Sequence, residues 1–362
     1  MSAQAVRLDF PWDGDVLNRH DGIESKDRLE IVVTGQAWPG AKVTCRGRET
    51  VTDGDGNFAL PVSVTQREET IEVIASDAAA SAATQARVVW DARSRPRYRF
   101  SVDDNIEFLA DLARDPGAYP SLFEHWYLAF WRDLHREYGT KIHINIYYTD
   151  GRGFTLDQMP DRWRDEWQAN SDWLHLTFHA RQDKPDRIYK DATYQEIARD
   201  AARVREQIVR FAGPEVLSVV TTLHWAECPQ EGVQALYDDG YRGLIILAEE
   251  PAEACTTRYY LSPELTRHIA RRDAWKDFDM DMLFIECDMV VNLHTPEAIP
   301  PLLQAQVDNP HTGELIELLI HEQYFRRELP YYLPDVESRA RTAIEFVAAR
   351  GYEPVFWGEE FF

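Results

Sequence analysis

Strand-like and helix-like stretches alternate from about residue 98 to the C-terminus, and this alternation limits the possible folds more than any other feature of the chain. The strand-like runs are 142–148, 174–179, 217–223, 243–247, 283–286 and 317–320. Helical patterns lie between them, for example over 194–212 and 335–350. Such alternation predicts an α/β fold with a parallel sheet, most economically a (β/α) barrel. In barrels of this kind, chemistry sits at the C-terminal ends of the strands.

Residues 1–94 follow a different pattern. Short alternating stretches at 29–35, 41–45, 57–62 and 69–75 are separated by turn signals such as Pro39-Gly40 and Asp53-Gly54-Asp55-Gly56. This spacing, without helical periodicity, predicts a small all-β immunoglobulin-like sandwich. Residues 53–57 resemble part of a calcium loop. No glutamate closes it at EF-hand spacing and no helices flank it, so a hairpin turn is expected. Residues 93–97 read as a linker, with the barrel domain expected over 95–362.

The formal net charge is −23. A chain this acidic repels phosphate, which excludes nucleic acid as an expected partner and favours a neutral or cationic substrate. The four cysteines form no CxxC pair, so a cysteine zinc site is not expected. No stretch is long and apolar enough for a membrane span, and residues 1–7 lack the apolar core of a signal peptide. The expected location is the cytoplasm.

The strand ends carry the candidate site. Asp103 and Asp104 follow the apolar run 98–102. Adjacent carboxylates repel one another, and a metal ion is one reason to keep both, with one as ligand and the other as base. The structural alternative is a helix N-cap, since a helical pattern starts at Ile106. His179, His224 and His321 each end a predicted strand as well, so four such groups would converge at one end of the sheet. His175 and His179 have the i, i+4 spacing of a helical zinc pair, but on a strand that spacing separates them by ~13 Å. His179 is therefore the expected ligand and His175 a buried structural residue. Asp183, on the following loop, is a further candidate for the same metal. His224 stands beside Trp225 and is either a ligand, a sugar-facing residue or half of a packed pair. His321, between Ile320 and Glu322, is placed as a general acid. Asn145 and Tyr148 are expected to line the pocket.

These residues, in this order, resemble the polysaccharide deacetylase (NodB-homology) family over about residues 98–355. Ser101-Val102-Asp103-Asp104 is similar to the family's aspartate pair. The resemblance implies Asp103 as general base and Asp104 as metal ligand. The family's His-x-x-x-His motif fits in two registers, His175 to His179 or His179 to Asp183. His224 stands where the family carries an arginine, and is expected to supply a metal ligand instead. Leu319-Ile320-His321 is similar to the family's last motif, which implies His321 as general acid. The implied protein is a divergent, metal-dependent carbohydrate deacetylase. Asp104, His179 and His224 would hold a divalent cation, most naturally Zn2+ given the nitrogen ligands. Two alternatives stay open: a glycoside hydrolase using carboxylates among Asp104, Asp183, Glu227 and Glu322, or an inactive glycan-binding protein.

Overall fold

The computed structural model describes residues 5–248 and 258–362, which form two compact units. The first unit comprises the N-terminal residues to Arg95 together with Ala274–Asp279. The second comprises Pro96–Asp273 and Met280–Phe362.

In the first unit, nine strands run in chain order: β1 (Arg7–Phe10), β2 (Val16–Leu17), β3 (Gly22–Ser25), β4 (Arg28–Gln36), β5 (Lys42–Cys45), β6 (Arg48–Val51), β7 (Asn57–Val64), β8 (Glu68–Ser76) and β9 (Ser81–Trp90). One sheet joins β4 to β1, β3 and β7, all antiparallel. The other has the order β2-β9-β8-β5-β6. Alternation along β4 and β7 turns Leu29, Ile31, Val33, Phe58, Leu60, Val62 and Val64 into one shared core with Val43, Ile71 and Val73 of the second sheet. The 53–57 segment is a turn: Asp53 Oδ1 accepts from the backbone N–H groups of Asp55 and Asn57. The insertion β15 (Ala274–Asp277) joins this unit through a bridge between Trp275 and Asp15.

The second unit is mixed α/β with curled, parallel sheets. Its strands are β10 (Arg97–Asn105), β11 (Ile142–Tyr147), β12 (Leu174–Ala180), β13 (Val220–Thr221), β14 (Gly243–Ile246), β16 (Met282–Glu286), β17 (Met289–Val290), β18 (Leu315–His321) and β19 (Glu353–Pro354). The helices are α1 (Glu107–Arg114), α2 (Trp126–Tyr138), α3 (Arg164–Ala169), α4 (Tyr194–Phe211), α5 (Gln230–Asp238), α6 (Pro263–Ile269), α7 (Ile299–Val307), α8 (Val336–Ala348) and α9 (Trp357–Phe361). One sheet runs β12-β11-β10-β18-β17, with β19 alongside β10. Strands β13, β14 and β16 form a second parallel sheet. A parallel bridge between Leu176 and Leu217 links β12 towards β13. Where a (β/α) barrel was expected from sequence, the unit has two parallel sheets joined by this bridge.

Two expectations change. The strand expected over 217–223 contracts to Val220–Thr221. Ser218 is the reason: its hydroxyl donates to the Val220 carbonyl and accepts from the Val220 N–H, each at 3.0 Å, in competition with ladder pairing. Arg97, expected in the linker, opens β10, is fully buried and is paired with Glu360. Cys45, Cys228 and Cys287 are buried and free, and Cys255 lies outside the described residues. No helix among the described residues is long and apolar enough to cross a membrane.

The central strands are buried on both faces, yet one face is polar. Period-two alternation places Arg99, Ser101 and Asp103 on the same face of β10. Arg99 makes a bidentate pair with Glu317 of β18 at 2.7 and 2.8 Å, and both residues are fully buried. Ser101 and Trp357 also donate to the Glu317 carboxylate, at 2.9 and 2.8 Å, and Arg99 donates to His143 Nδ1 at 2.8 Å. Four donors around one buried carboxylate and its guanidinium meet the condition under which buried charge is tolerated. This ladder of polar groups leads up to Asp103.

Candidate metal centre and active site

Two β-bulges aim the first ligands. Along the β10–β11 pair, Val102 faces Ile144 but Asn105 faces Ile146, so β10 carries one extra residue at Asp103-Asp104. Along β11–β12, Ile146 faces Phe178 but Tyr147 faces Ala180, so β12 carries one extra residue at His179. A bulge rotates a side chain out of the regular alternation, and Asp104 does so with a left-handed backbone, φ 61°. An aspartate tolerates that conformation better than most residues. His224 arrives on the loop after β13, ahead of Trp225, whose φ is also left-handed at 65°.

The result is a triangle of donor atoms. His179 Nε2 lies 3.0 Å from Asp104 Oδ1, His224 Nδ1 lies 3.2 Å from the same oxygen, and the two nitrogens are 3.2 Å apart. A tetrahedral zinc with bonds of 2.0–2.1 Å spaces its ligand atoms by roughly 3.3–3.4 Å. The donor set of two imidazoles and one carboxylate fits a divalent cation in both spacing and chemistry.

Outer contacts orient the two imidazoles. His179 Nδ1 lies 2.5 Å from the Thr222 carbonyl, a contact that would keep a proton on Nδ1 and offer Nε2 to a cation in the triangle. His224 Nε2 lies 3.3 Å from the Asp183 carbonyl, which leaves Nδ1 inward in the same way. Gln323 Nε2 donates to Asp104 Oδ2 at 2.7 Å and takes up the outer oxygen. Burial opposes ionisation of Asp104, but hydrogen bonds from His179 and His224 outweigh it and hold the carboxyl well below its ordinary range. Burial also opposes charge on His179, yet Asp103 and Asp104 raise that imidazole overall.

Asp103 lies outside the triangle. It is 2% exposed and accepts from Asn145 Nδ2 at 2.5 Å. Burial, reinforced by the neighbouring Asp104 charge, pushes its carboxyl up to about 7, against the opposing pull of His179, Asn145 and Arg99. His321 faces Asp103 in register across β10–β18. Its Nδ1 lies 2.8 Å from Asn292 Oδ1, and burial together with His179 and His224 lowers the imidazole.

All five expected residues, Asp103, Asp104, His179, His224 and His321, line one cavity of about 630 Å³. His175 is absent from it. That residue lies four positions down β12, stacked on Phe356 at 3.7 Å between ring centroids. Asp183 lines the cavity, but its side chain is 55% exposed and its Oδ1 is 3.7 Å from His224 Nε2, on the far side of the ring from the triangle. Tyr148 is turned away to bond Asp157, while Asn145 meets Asp103.

Two carboxylates considered for a glycosidase have structural partners. Glu322 is fully buried and accepts from the backbone N–H groups of Ile106, Glu107 and Phe108 at 2.8–2.9 Å, which caps α1. Asp103 and Asp104 are thus not the cap of that helix, whose N-cap position is Ile106. Glu227 is held by Arg187 in a bidentate pair. Sequence reasoning missed Tyr147, Asn292 and Gln323. Tyr147 was legible as the next inward position after His143 and Asn145 on β11. The other two lie in short 3-10 turns, where no strand periodicity marks orientation.

No protein-family model matches the chain and no curated protein matches its sequence. Among solved structures, it is similar to a 4-alpha-glucanotransferase from Thermococcus litoralis, at 12% identity over 74% of this chain and a TM-score of 0.45. The chain spans 40% of that protein's length. A polysaccharide deacetylase candidate from Bordetella bronchiseptica, described as involved in O-antigen biosynthesis, is 14% identical over 71% of this chain and 91% of its own, with a TM-score of 0.34. A carbohydrate acetylesterase from Xanthomonas citri is 11% identical over 97% of this chain and 77% of its own, with a TM-score of 0.21. Likenesses this weak assign neither family nor activity.

Proposed function

We propose that this chain is a metal-dependent hydrolase that removes acetyl groups from a carbohydrate, with an immunoglobulin-like unit (residues 1–94) ahead of a deacetylase-like barrel (95–362). The observation that carries the reading is the Asp104–His179–His224 triangle with Asp103 and His321 beside it in one cavity. Asp104, His179 and His224 would hold a divalent cation, zinc by ligand chemistry. Such a cation, when bound, polarises an acyl carbonyl and makes a water more acidic. Asp103, a buried carboxyl with its pKa near 7, takes the proton of the attacking water. His321, oriented by Asn292 and facing Asp103 across β10–β18, passes the proton that Asp103 took from the water to the leaving nitrogen or oxygen as the C–N or C–O bond breaks. Trp225 and Tyr331, 41% and 53% exposed at the cavity, offer aromatic faces to a sugar ring.

The test is acetate release from N- and O-acetylated oligosaccharides, with elemental analysis of the same preparation. Release that chelation abolishes and zinc restores is expected. Release that survives both chelation and Asp104→Ala would sink the proposal.

A further inference from the structure

The hydroxyl of Tyr147 lies at the triangle without being one of its corners. Tyr147 ends β11 and is 2% exposed. Its ring is wedged between the two histidines, with centroids 5.2 Å from His179 and 5.3 Å from His224. This packing leaves the phenol little freedom except rotation of its O–H bond. The hydroxyl donates to Asp104 Oδ1 and lies 3.0 Å from His224 Nδ1. It therefore spends its proton on the oxygen that faces both ligand nitrogens.

A cation among the three donors engages the Oδ1 lone pair and repels a proton aimed at it. The phenol then has to redirect its single proton. The carboxylate's other oxygen is already occupied by Gln323. The acceptor left to the phenol is an oxygen of whatever molecule occupies the cavity beside the cation.

We propose that Tyr147 is a hydrogen-bond donor to the acyl or carboxylate oxygen of a ligand held at the Asp104–His179–His224 centre. The inference deepens the acetyl-hydrolase reading and rests on it for the ligand class. In that reaction the phenol helps to hold negative charge developing on the acyl oxygen, as an oxyanion-hole donor does.

Acetate, the product of the proposed reaction, is the probe. Wild-type and Tyr147→Phe proteins are loaded with cobalt, their metal content is measured, and acetate is titrated by its effect on the visible spectrum. Equal cobalt content and acetate binding at least tenfold weaker in Tyr147→Phe are expected, the size of a lost hydrogen bond to a charged oxygen. Equal acetate affinity in the two proteins would overturn the inference, as would a wild type that binds no acetate. Loss of cobalt in the variant, with a charge-transfer band when wild type is loaded with ferric iron, would also overturn it, because Tyr147 would then be a phenolate ligand. None of these readouts needs turnover. A wild type that binds acetate through Tyr147 yet releases none from any acetylated sugar leaves this inference standing and removes the deacetylase reading.

Discussion

Asn145 Nδ2 donates to Asp103 Oδ1 at 2.5 Å. Asn145 is itself fixed, since its Oδ1 accepts from Thr221 Oγ1 at 3.2 Å. A neutral amide donor stabilises a carboxylate less than a guanidinium does, which leaves Asp103 free to sit near neutrality rather than deep in the acid range.

Replacing Asn145 by Ala removes the donor that favours the charged carboxylate. The Asp103 pKa then rises, and so does the pH below which the base is protonated. The acid limb of the kcat/KM profile for acetate release should move up by about one unit, the size of one lost hydrogen bond to a charged group. An unmoved acid limb would remove Asp103 from the role of base.

Metal retention separates the two readings of the second motif. His179→Ala and Asp104→Ala should each lose the bound cation, while His175→Phe and Asp183→Ala should keep one per chain in elemental analysis. Zinc at about 100 times its Kd should stabilise wild type by about 2.7 kcal/mol against urea and leave His179→Ala unchanged. Retention in His179→Ala paired with loss in Asp183→Ala would reverse the assignment.

Glu322 is a structural carboxylate one position away from the catalytic candidate His321. Its carboxylate accepts three backbone N–H groups of α1 and pairs with buried Arg326 at 2.7 Å. Glu322→Gln would weaken the cap and leave a buried guanidinium without one of its counter-charges. The expected loss is about 3 kcal/mol in urea denaturation. A loss below about 1 kcal/mol would mean that the helix start is held by something else.

The site was legible where the chain is extended. Asp103, His179 and His321 end strands, and strand ends in a parallel sheet point to one side, so their convergence followed from order alone. What sequence could not give was the extra residue at each bulge, which decides that Asp104 and not Asp103 meets His179. The inward polar face was written in the alternation of Arg99, Ser101 and Asp103 beside His143, Asn145 and Tyr147. Its partner Glu317 looked like an ordinary strand residue, because pairing across 218 positions leaves no local trace. The short third strand was overestimated because Val219 and Val220 carry β-propensity, whereas the Ser218 hydroxyl decides the backbone there.

His175 gives the chain an acid-sensitive element away from the centre. Burial, with Lys141 and Arg99 nearby, lowers its imidazole from 6.5 to about 4, against the opposing pull of the Ser171 backbone. The unfolded chain therefore binds more protons at this position between those two values. Stability present above pH 6.5 is lost progressively as pH falls towards 4, and the loss levels off below that. A shift of this size corresponds to about 3 kcal/mol. His175→Phe keeps the stack on Phe356 without a titrating group. Urea denaturation of both proteins at pH 7 and pH 4 should show the variant gaining about 3 kcal/mol relative to wild type on acidification. Wild type and variant losing stability in parallel would show that His175 is already protonated in the folded protein, and that the acid sensitivity belongs to other groups such as His143, which burial and Arg99 also hold neutral.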